Sequence, residues 1–213
     1  MNTKLLSILI GLILVTLEKS NGQNFQYGIL GGFDIVNIHQ KPWPPHEVIP
    51  PYRSMKSYNV NCFISYKSQG IWGFSVEPGF IQKGGANGVN NCCRWELNYL
   101  QIPFLADIYI LHKLFLSIGP EFSYLTSANA INVYPGHTHT SDMSSIYKYK
   151  SELSGLIGIN YMINKRFEIG LRYNHGFTYI AKIDINIYNG SNWYILPAKQ
   201  WSQYLQLMVR VRI

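Results

Sequence analysis

From Phe25 to the C-terminus, apolar and polar residues alternate with a period of two, and this alternation recurs in eight separate segments. In one of them, Trp72, Phe74 and Val76 alternate with glycine and serine. A two-residue period places successive side chains on opposite faces of a strand, so each segment predicts a strand with one apolar face. The segments have roughly 10 to 15 residues, against about 5 or 6 in an ordinary soluble strand, and are long enough to cross a bilayer when tilted.

The connectors between these segments alternate in length. Three are tight (68–70, 110–113 and 163–166) and four are longer (39–56, 84–93, 127–147 and 183–200). Outer-membrane barrels have short periplasmic turns and long extracellular loops. With eight strands, all three tight connectors and both termini lie at the same end. We therefore predict an all-β fold, an eight-stranded antiparallel up-and-down transmembrane β-barrel with its termini and tight turns in the periplasm.

Composition decides which face of the strands points outward. Charged residues make up 14% of the chain and aromatic residues 15%, whereas an average soluble protein has about 25% charged residues. A soluble ligand-binding barrel would turn its apolar face inward, but eight strands enclose too little space for so many rings. The second face is mainly glycine, serine and asparagine with isolated charges, which suits a filled interior. We therefore expect lipid against the apolar face, with aromatic girdles near the strand ends.

The fourth segment departs from the simple alternation. Trp95, Leu97 and Tyr99 share one phase, and the apolar residues then change phase at Leu100. Pro103 lies just past this change. An extra residue in one strand shifts the alternation in this way, so we predict a β-bulge in this strand, with all of these apolar side chains facing lipid.

The N-terminus has the features of an export signal. A short basic start is followed by an apolar stretch over residues 5–17 and by Ser20, Asn21 and Gly22, a small-x-small cleavage pattern. The apolar stretch is too short to span a membrane. We predict a Sec signal peptide at 1–22 and an outer-membrane barrel domain at 23–213, with an uncleaved anchor as the alternative. Export makes nucleic acid an improbable partner, and the formal net charge of +7 is not focused in any dense run. We interpret the basic excess as loop residues that face anionic lipid headgroups.

Isolated charges on the inward face are expected to pair, because unpaired buried charges are very unfavourable. Glu77, Glu121 and Arg172 lie at similar distances from the predicted periplasmic turns. The predicted interior charge network consists of Glu77, Glu121, Glu152, Arg172 and Arg210, with Lys150 beside them. Such a network would form a plug that fills the barrel, or alternatively line a gate or narrow pore.

The long loops hold the candidate interaction residues. Trp43 and Tyr52 lie in a proline-rich stretch that offers a recognition surface or a lid over the barrel mouth. His137 and His139 could bind a metal with a third histidine, but no acid or cysteine completes a ligand spacing, so we predict no metal. No nucleophile motif is present. We predict no catalytic residues, no cofactor and no enzymatic activity.

Four sequence pieces carry a family resemblance: GFSVEPGF (73–80), YLQIPF (99–104), SIGPEF (117–122) and GLRY (170–173). In this order they resemble the PorT-like outer-membrane β-barrel family of Bacteroidetes, over essentially the whole mature chain. The resemblance implies a barrel of the OmpA/OmpX type and implies little about activity. One departure is the C-terminus, which ends in Ile213 where many outer-membrane barrels end in phenylalanine.

These observations lead to a small integral outer-membrane barrel, monomeric and non-enzymatic, with a polar, side-chain-filled interior. Its partners would be outer-membrane lipid and an extracellular ligand or envelope protein bound by the long loops, for surface interaction or envelope integrity. Two alternatives remain open at this point. One is a narrow pore or a transport or secretion accessory, and the other is an outer-membrane lipid-modifying enzyme.

Overall fold

A computed structural model describes residues 25–42, 52–86, 93–134, 136–188 and 193–213 of the chain. The predicted signal peptide, at residues 1–22, and Trp43 lie outside these residues. Across the described ranges every regular element is a β-strand. Within the same ranges, no helix has the length and apolar character needed to cross a membrane.

The strands form an antiparallel barrel. In chain order they are β1 (Phe25–Pro42), β2 (Met55–Lys67), β3 (Trp72–Val76), β4 (Gly79–Ala86), β5 (Cys93–Tyr109), β6 (Leu114–Tyr134), β7 (His137–Asp142), β8 (Ser151–Met162), β9 (Phe167–Gly176), β10 (Ala181–Tyr188) and β11 (Trp193–Arg212). β3 and β4 are two parts of one wall strand, and pairing of β1 with β11 closes the ring. With β7 and β10 outside the ring, eight wall strands remain. The predicted all-β fold, an eight-stranded antiparallel up-and-down barrel, is confirmed.

The break between β3 and β4 falls at Glu77 and Pro78, since proline has no N–H to donate to a ladder. The flanking backbone is still bonded on both sides. The Cys62 N–H donates to the Pro78 carbonyl at 2.9 Å, and the Glu77 N–H donates to the Pro103 carbonyl at 3.1 Å. The Asn61 side-chain amide also donates to the Glu77 carbonyl at 2.7 Å. These bonds hold the Glu77 side chain toward the barrel axis.

Alternation along the wall strands separates the two faces of the barrel. Outward-pointing apolar side chains such as Ile29, Phe74 and Leu207 are about half exposed or more, while Ser117 and Asn174 on the inner face are fully buried. The apolar face is therefore outside, as predicted. The tight turns lie at one end of the barrel together with Phe25, where the described residues begin, and Ile213; this end is here called the terminal end. The opposite end, where β7 and β10 lie, is called the loop end.

Large parts of two of the long connections are strand rather than loop, which corrects the sequence-based expectation. β6 continues to Tyr134 and returns as β7, and β10 pairs with the first half of β11. Hydrogen bonds along these hairpins satisfy the backbone groups of segments that stand beyond the barrel wall. We use the name collar for these two hairpins together, which comprise residues 129–134 of β6 with β7, and β10 with residues 193–200 of β11.

The predicted bulge lies at the expected level but in the neighbouring strand. The β5–β6 register shifts between Asn98 and Tyr99, and the extra residue is Thr126 of β6, whose hydroxyl donates to the Asn98 carbonyl at 2.9 Å. β5 itself keeps its phase. As a result Leu97 and Tyr99 are fully buried inside the barrel, and the prediction that they face lipid is wrong.

Candidate functional site

The terminal half of the barrel interior is built around Glu77. Arg172 Nη1 lies 2.5 Å from Glu77 Oε2, and Arg172 Nη2 lies 2.9 Å from Oε1. Arg210 donates to the same carboxylate and also lies 3.3 Å from Glu168 Oε1. All of these side chains are at most 2% exposed. The planar guanidinium of Arg172 matches a carboxylate with two parallel hydrogen bonds, so the pair ties β9 to the break between β3 and β4 across the barrel interior.

Local sequence makes room for these large side chains. Arg172 lies on β9, directly opposite Gly158 of β8. A Cβ at Gly158 would come within 2.5 Å of Arg172 Cγ, so a larger residue there would displace the arginine. The Arg210 guanidinium lies 4.5 Å from the centre of the Phe63 ring, within cation–π range.

A second ionic cluster lies nearer the loop end, around Lys83. Its Nζ is 3.2 Å from Glu121 Oε1 and 3.1 Å from Glu152 Oε2. The rings of Tyr99 and Tyr204 lie 5.0 Å and 5.5 Å from the same nitrogen. One buried cation therefore holds two carboxylates from strands β6 and β8.

The remaining buried acids bind neutral donors. Asp34 accepts hydrogen bonds from Asn59 Nδ2 at 2.8 and 3.0 Å and from Gln206 Nε2 at 3.1 Å. Asp107 accepts one from the Ser117 hydroxyl at 2.5 Å. Amide and hydroxyl donors satisfy a buried carboxylate that has no cation beside it.

The loop end of the interior is closed by an apolar layer, which sequence analysis did not predict. Its fully buried members are Val36, Ile38, Ile81, Leu97, Tyr99, Ala128, Ile180 and Ala181. Tyr52 packs against this layer, with its ring 4.7 Å from that of Trp95 and its hydroxyl accepting from Gln200 Nε2 at 3.2 Å. The interior is thus polar and ionic toward the terminal end and apolar at the loop end.

The structure divides the predicted charge network into two clusters. Glu77, Arg172 and Arg210 are together in the first, whereas Glu121 and Glu152 belong to the second, around Lys83. Lys150 does not join either cluster, because it lies exposed at the loop end.

Sequence reasoning missed four charged residues of the interior: Asp34, Lys83, Asp107 and Glu168. Lys83 could have been found, since the two-residue period that places Glu77 inward also places Lys83 inward six residues later. The assumption that a loop begins at Gly84 obscured this. Asp34 and Glu168 were on the polar face, but their partners follow only from the strand register.

The predicted interaction residues of the loops lie in different parts of the structure. Tyr52 is turned into the barrel mouth, while His137 and His139 are exposed on β7 of the collar. His139 Nδ1 lies 3.1 Å from the Ser141 hydroxyl. Among the residues that the structure describes, no three His, Cys, Asp or Glu side chains come together to form a metal site.

The chain resembles several solved barrels at low sequence identity. Ail, the attachment invasion locus protein of Yersinia pestis, is 12% identical, with 87% of this chain and 99% of that chain covered and a TM-score of 0.42. Neisserial surface protein A is 16% identical, with 87% and 97% covered and a TM-score of 0.43. OprG from Pseudomonas aeruginosa is 12% identical, with 89% and 97% covered and a TM-score of 0.43. A comparison with curated proteins gave no match.

The family model described as the outer membrane protein beta-barrel domain matches residues 19–182, most of the chain. The closed antiparallel ring with its apolar outer face agrees with that description. The chain therefore belongs to the outer membrane protein beta-barrel domain family and is an integral protein of the outer membrane.

Proposed function

We propose that this protein is a monomeric, non-enzymatic and non-conducting barrel that acts through its collar, either in surface interaction or in envelope integrity. We also propose that it belongs to the PorT-like group of Bacteroidetes, on the four sequence pieces at 73–80, 99–104, 117–122 and 170–173. The observation that carries the functional proposal is a closed interior combined with strands that continue well beyond the lipid-facing belt.

The length of β6 supports this function. β6 has 21 residues, about 70 Å of strand at roughly 3.3 Å per residue, whereas a tilted strand needs about 9 to 11 residues to cross a membrane. On its outer face the continuous apolar belt ends at Tyr124, and Thr126 begins the more polar part. The part of this strand from Thr126 to Tyr134 therefore stands outside the bilayer, and residues 129–134 of it belong to the collar.

The collar also offers unpaired strand edges. Among the described strands, β7 pairs only with β6 and β10 only with β11. Among the described residues, β7 and β10 thus each leave one edge of backbone N–H and C=O groups that a partner strand could extend. His137 to Thr140 on β7 are all exposed and polar, which suits a surface that meets water and a protein or glycan partner.

Trimming the β6–β7 hairpin tests the proposal. The Met143 N–H donates to the Ala128 carbonyl at 2.8 Å, so the two chains are already adjacent there. Residues 129–142 can be replaced by Asn-Gly, which favours a two-residue hairpin turn. The trimmed protein should reach the outer membrane folded, yet fail to restore surface binding or envelope resistance to a strain that lacks the gene.

The matched control alters the opposite end of the barrel. Leu111→Asn with His112→Gly places Asn-Gly in the tight turn between β5 and β6, and this variant should restore the strain as the unaltered protein does. Restoration by both variants would show that this hairpin is dispensable and would contradict the proposal.

A further inference from the structure

A cleft of about 490 Å³ opens on the outer wall of the barrel near the loop end, between β1, β9 and β11. Its lining includes His39, Lys41, His175, Trp201 and Gln203. No acidic residue is among the described residues that line it. The outward positions below it, such as Phe33, Ile35 and Leu205, are exposed apolar residues.

The cleft begins where the apolar belt ends. Ile35 of β1 lies opposite Leu205 of β11, and both are exposed apolar residues. His39 is four residues further along β1, about 10 Å higher for a strand rising about 3.3 Å per residue and tilted about 40°. Lipid headgroups occupy this level, since they extend from the edge of a hydrocarbon core about 30 Å thick.

Three lysines stand side by side directly above this point. Lys41 of β1 is the ladder partner of Lys199 of β11, and Lys199 is the partner of Lys182 of β10. Side chains at directly opposite positions are about 5 Å apart at Cβ, and like charges there destabilise a sheet. The row therefore concentrates positive charge at this level of the wall, and Asp184 lies two residues beyond Lys182 on the same face of β10.

Aromatic rings surround the lysine row. Lys41 Nζ is 5.6 Å from the Trp201 ring centre. Lys182 and Lys199 lie 5.1 Å and 5.6 Å from the Tyr179 ring centre. These rings hold the ammonium groups at the wall, and rings at the membrane interface can also stack on the face of a sugar.

We propose that this cleft binds the phosphorylated headgroup of an outer-leaflet glycolipid. Lys41 in the cleft and Lys199 directly beside it supply the charge for the phosphate, and His39, His175 and Gln203 offer hydrogen bonds to the phosphate and sugar oxygens. The acyl chains would then follow the apolar belt below, along Ile35 and Leu205. A lipid fits better than a soluble phosphate because the cleft faces sideways from the barrel wall and continues into that belt. This inference does not depend on the function proposed for the collar.

The test compares two lipids that differ only in phosphate. Protein folded in dodecyl maltoside, which carries neither charge nor phosphate, is titrated with bis-phosphorylated lipid A and with its dephosphorylated form, and bound lipid is counted by native mass spectrometry. We expect the phosphorylated lipid to bind at least tenfold more tightly. Equal binding of the two lipids would overturn the proposal.

Variants locate the site. Lys41→Gln combined with Lys199→Gln should weaken binding of phosphorylated lipid A by about 25-fold, from roughly fivefold for each lysine near a membrane surface. The control is Lys113→Gln combined with Lys165→Gln, which removes the same charge at the terminal end and should change binding less than twofold. An equal loss in both double variants would overturn the assignment to this cleft.

A competition experiment distinguishes the lipid from its free phosphate. Inorganic phosphate at the concentration of the lipid should leave binding unchanged, because it lacks the sugar and acyl contacts. Displacement of the lipid under these conditions would identify a site for soluble phosphate and would refute the lipid assignment. The comparison of the two lipids on the unaltered protein decides the question even if a variant fails to fold.

Discussion

Replacing Glu77 by glutamine should lower the free energy of unfolding by about 3 to 5 kcal/mol, the range for removing one partner of a buried ion pair. Glu77 is fully buried and binds two guanidinium groups, those of Arg172 and Arg210. Arg210 would keep Glu168 at 3.3 Å. Arg172 would keep no carboxylate within ion-pair distance among the described residues, so an uncompensated charge would remain inside the barrel.

Urea unfolding of the barrel in lipid vesicles, followed by tryptophan fluorescence, measures this loss. The matched control is Glu96→Gln, because Glu96 pairs with Arg94 at 2.9 Å while their side chains are 19% and 48% exposed. Water screens such a pair, and its loss should cost less than about 1 kcal/mol. Removing Arg172 as well, by Arg172→Gln, should recover part of the stability lost with Glu77→Gln. Equal destabilisation by Glu77→Gln and Glu96→Gln would refute the view that the interior pair is dry and structural.

Two further outcomes follow from the layered interior. In planar bilayers the unaltered protein should show no steady single-channel current. The reason is that the Glu77 cluster, the Lys83 cluster and the apolar layer all block the interior of the barrel. A reproducible current would instead support the pore alternative. Leu97→Ala should destabilise the barrel by about 2 to 5 kcal/mol through the cavity left in the apolar layer. Leu100→Ala, at a lipid-facing position that is 55% exposed, should cost less than half as much in the same urea assay, and the reverse order would contradict the placement of Leu97 inside.

The strand pattern and the orientation of most of the wall were predictable because they are local properties. A period of two marks a strand wherever one face meets lipid and the other meets small polar residues. The rule failed at Leu97 and Tyr99 for a physical reason. At the loop end the interior itself is apolar, so an apolar side chain there no longer indicates the lipid face. For this reason the bulge was assigned to β5, although the extra residue, Thr126, lies in β6.

The charge partners could be predicted only in part. Glu77 and Arg172 were expected to meet because both lie inward at similar depth, although they are 95 residues apart in the chain. Glu121 was expected in the same ionic cluster but binds Lys83 of β4 instead. The difference depends on the register of every strand between them, which one sequence does not encode in any local pattern.

The sequence alone thus determined the barrel, its number of wall strands and most of its lipid-facing surface, since these depend on alternation and connector length. The tertiary structure decided which charges pair, where the apolar layer closes the mouth, and how Lys41, Lys182 and Lys199 come into one row. Lys182 and Lys199 pair within the β10–β11 hairpin, and only closure of the ring brings Lys41 of β1 beside them. Closure is a property of the whole sheet, because it requires the first and last strands to pair in a single register.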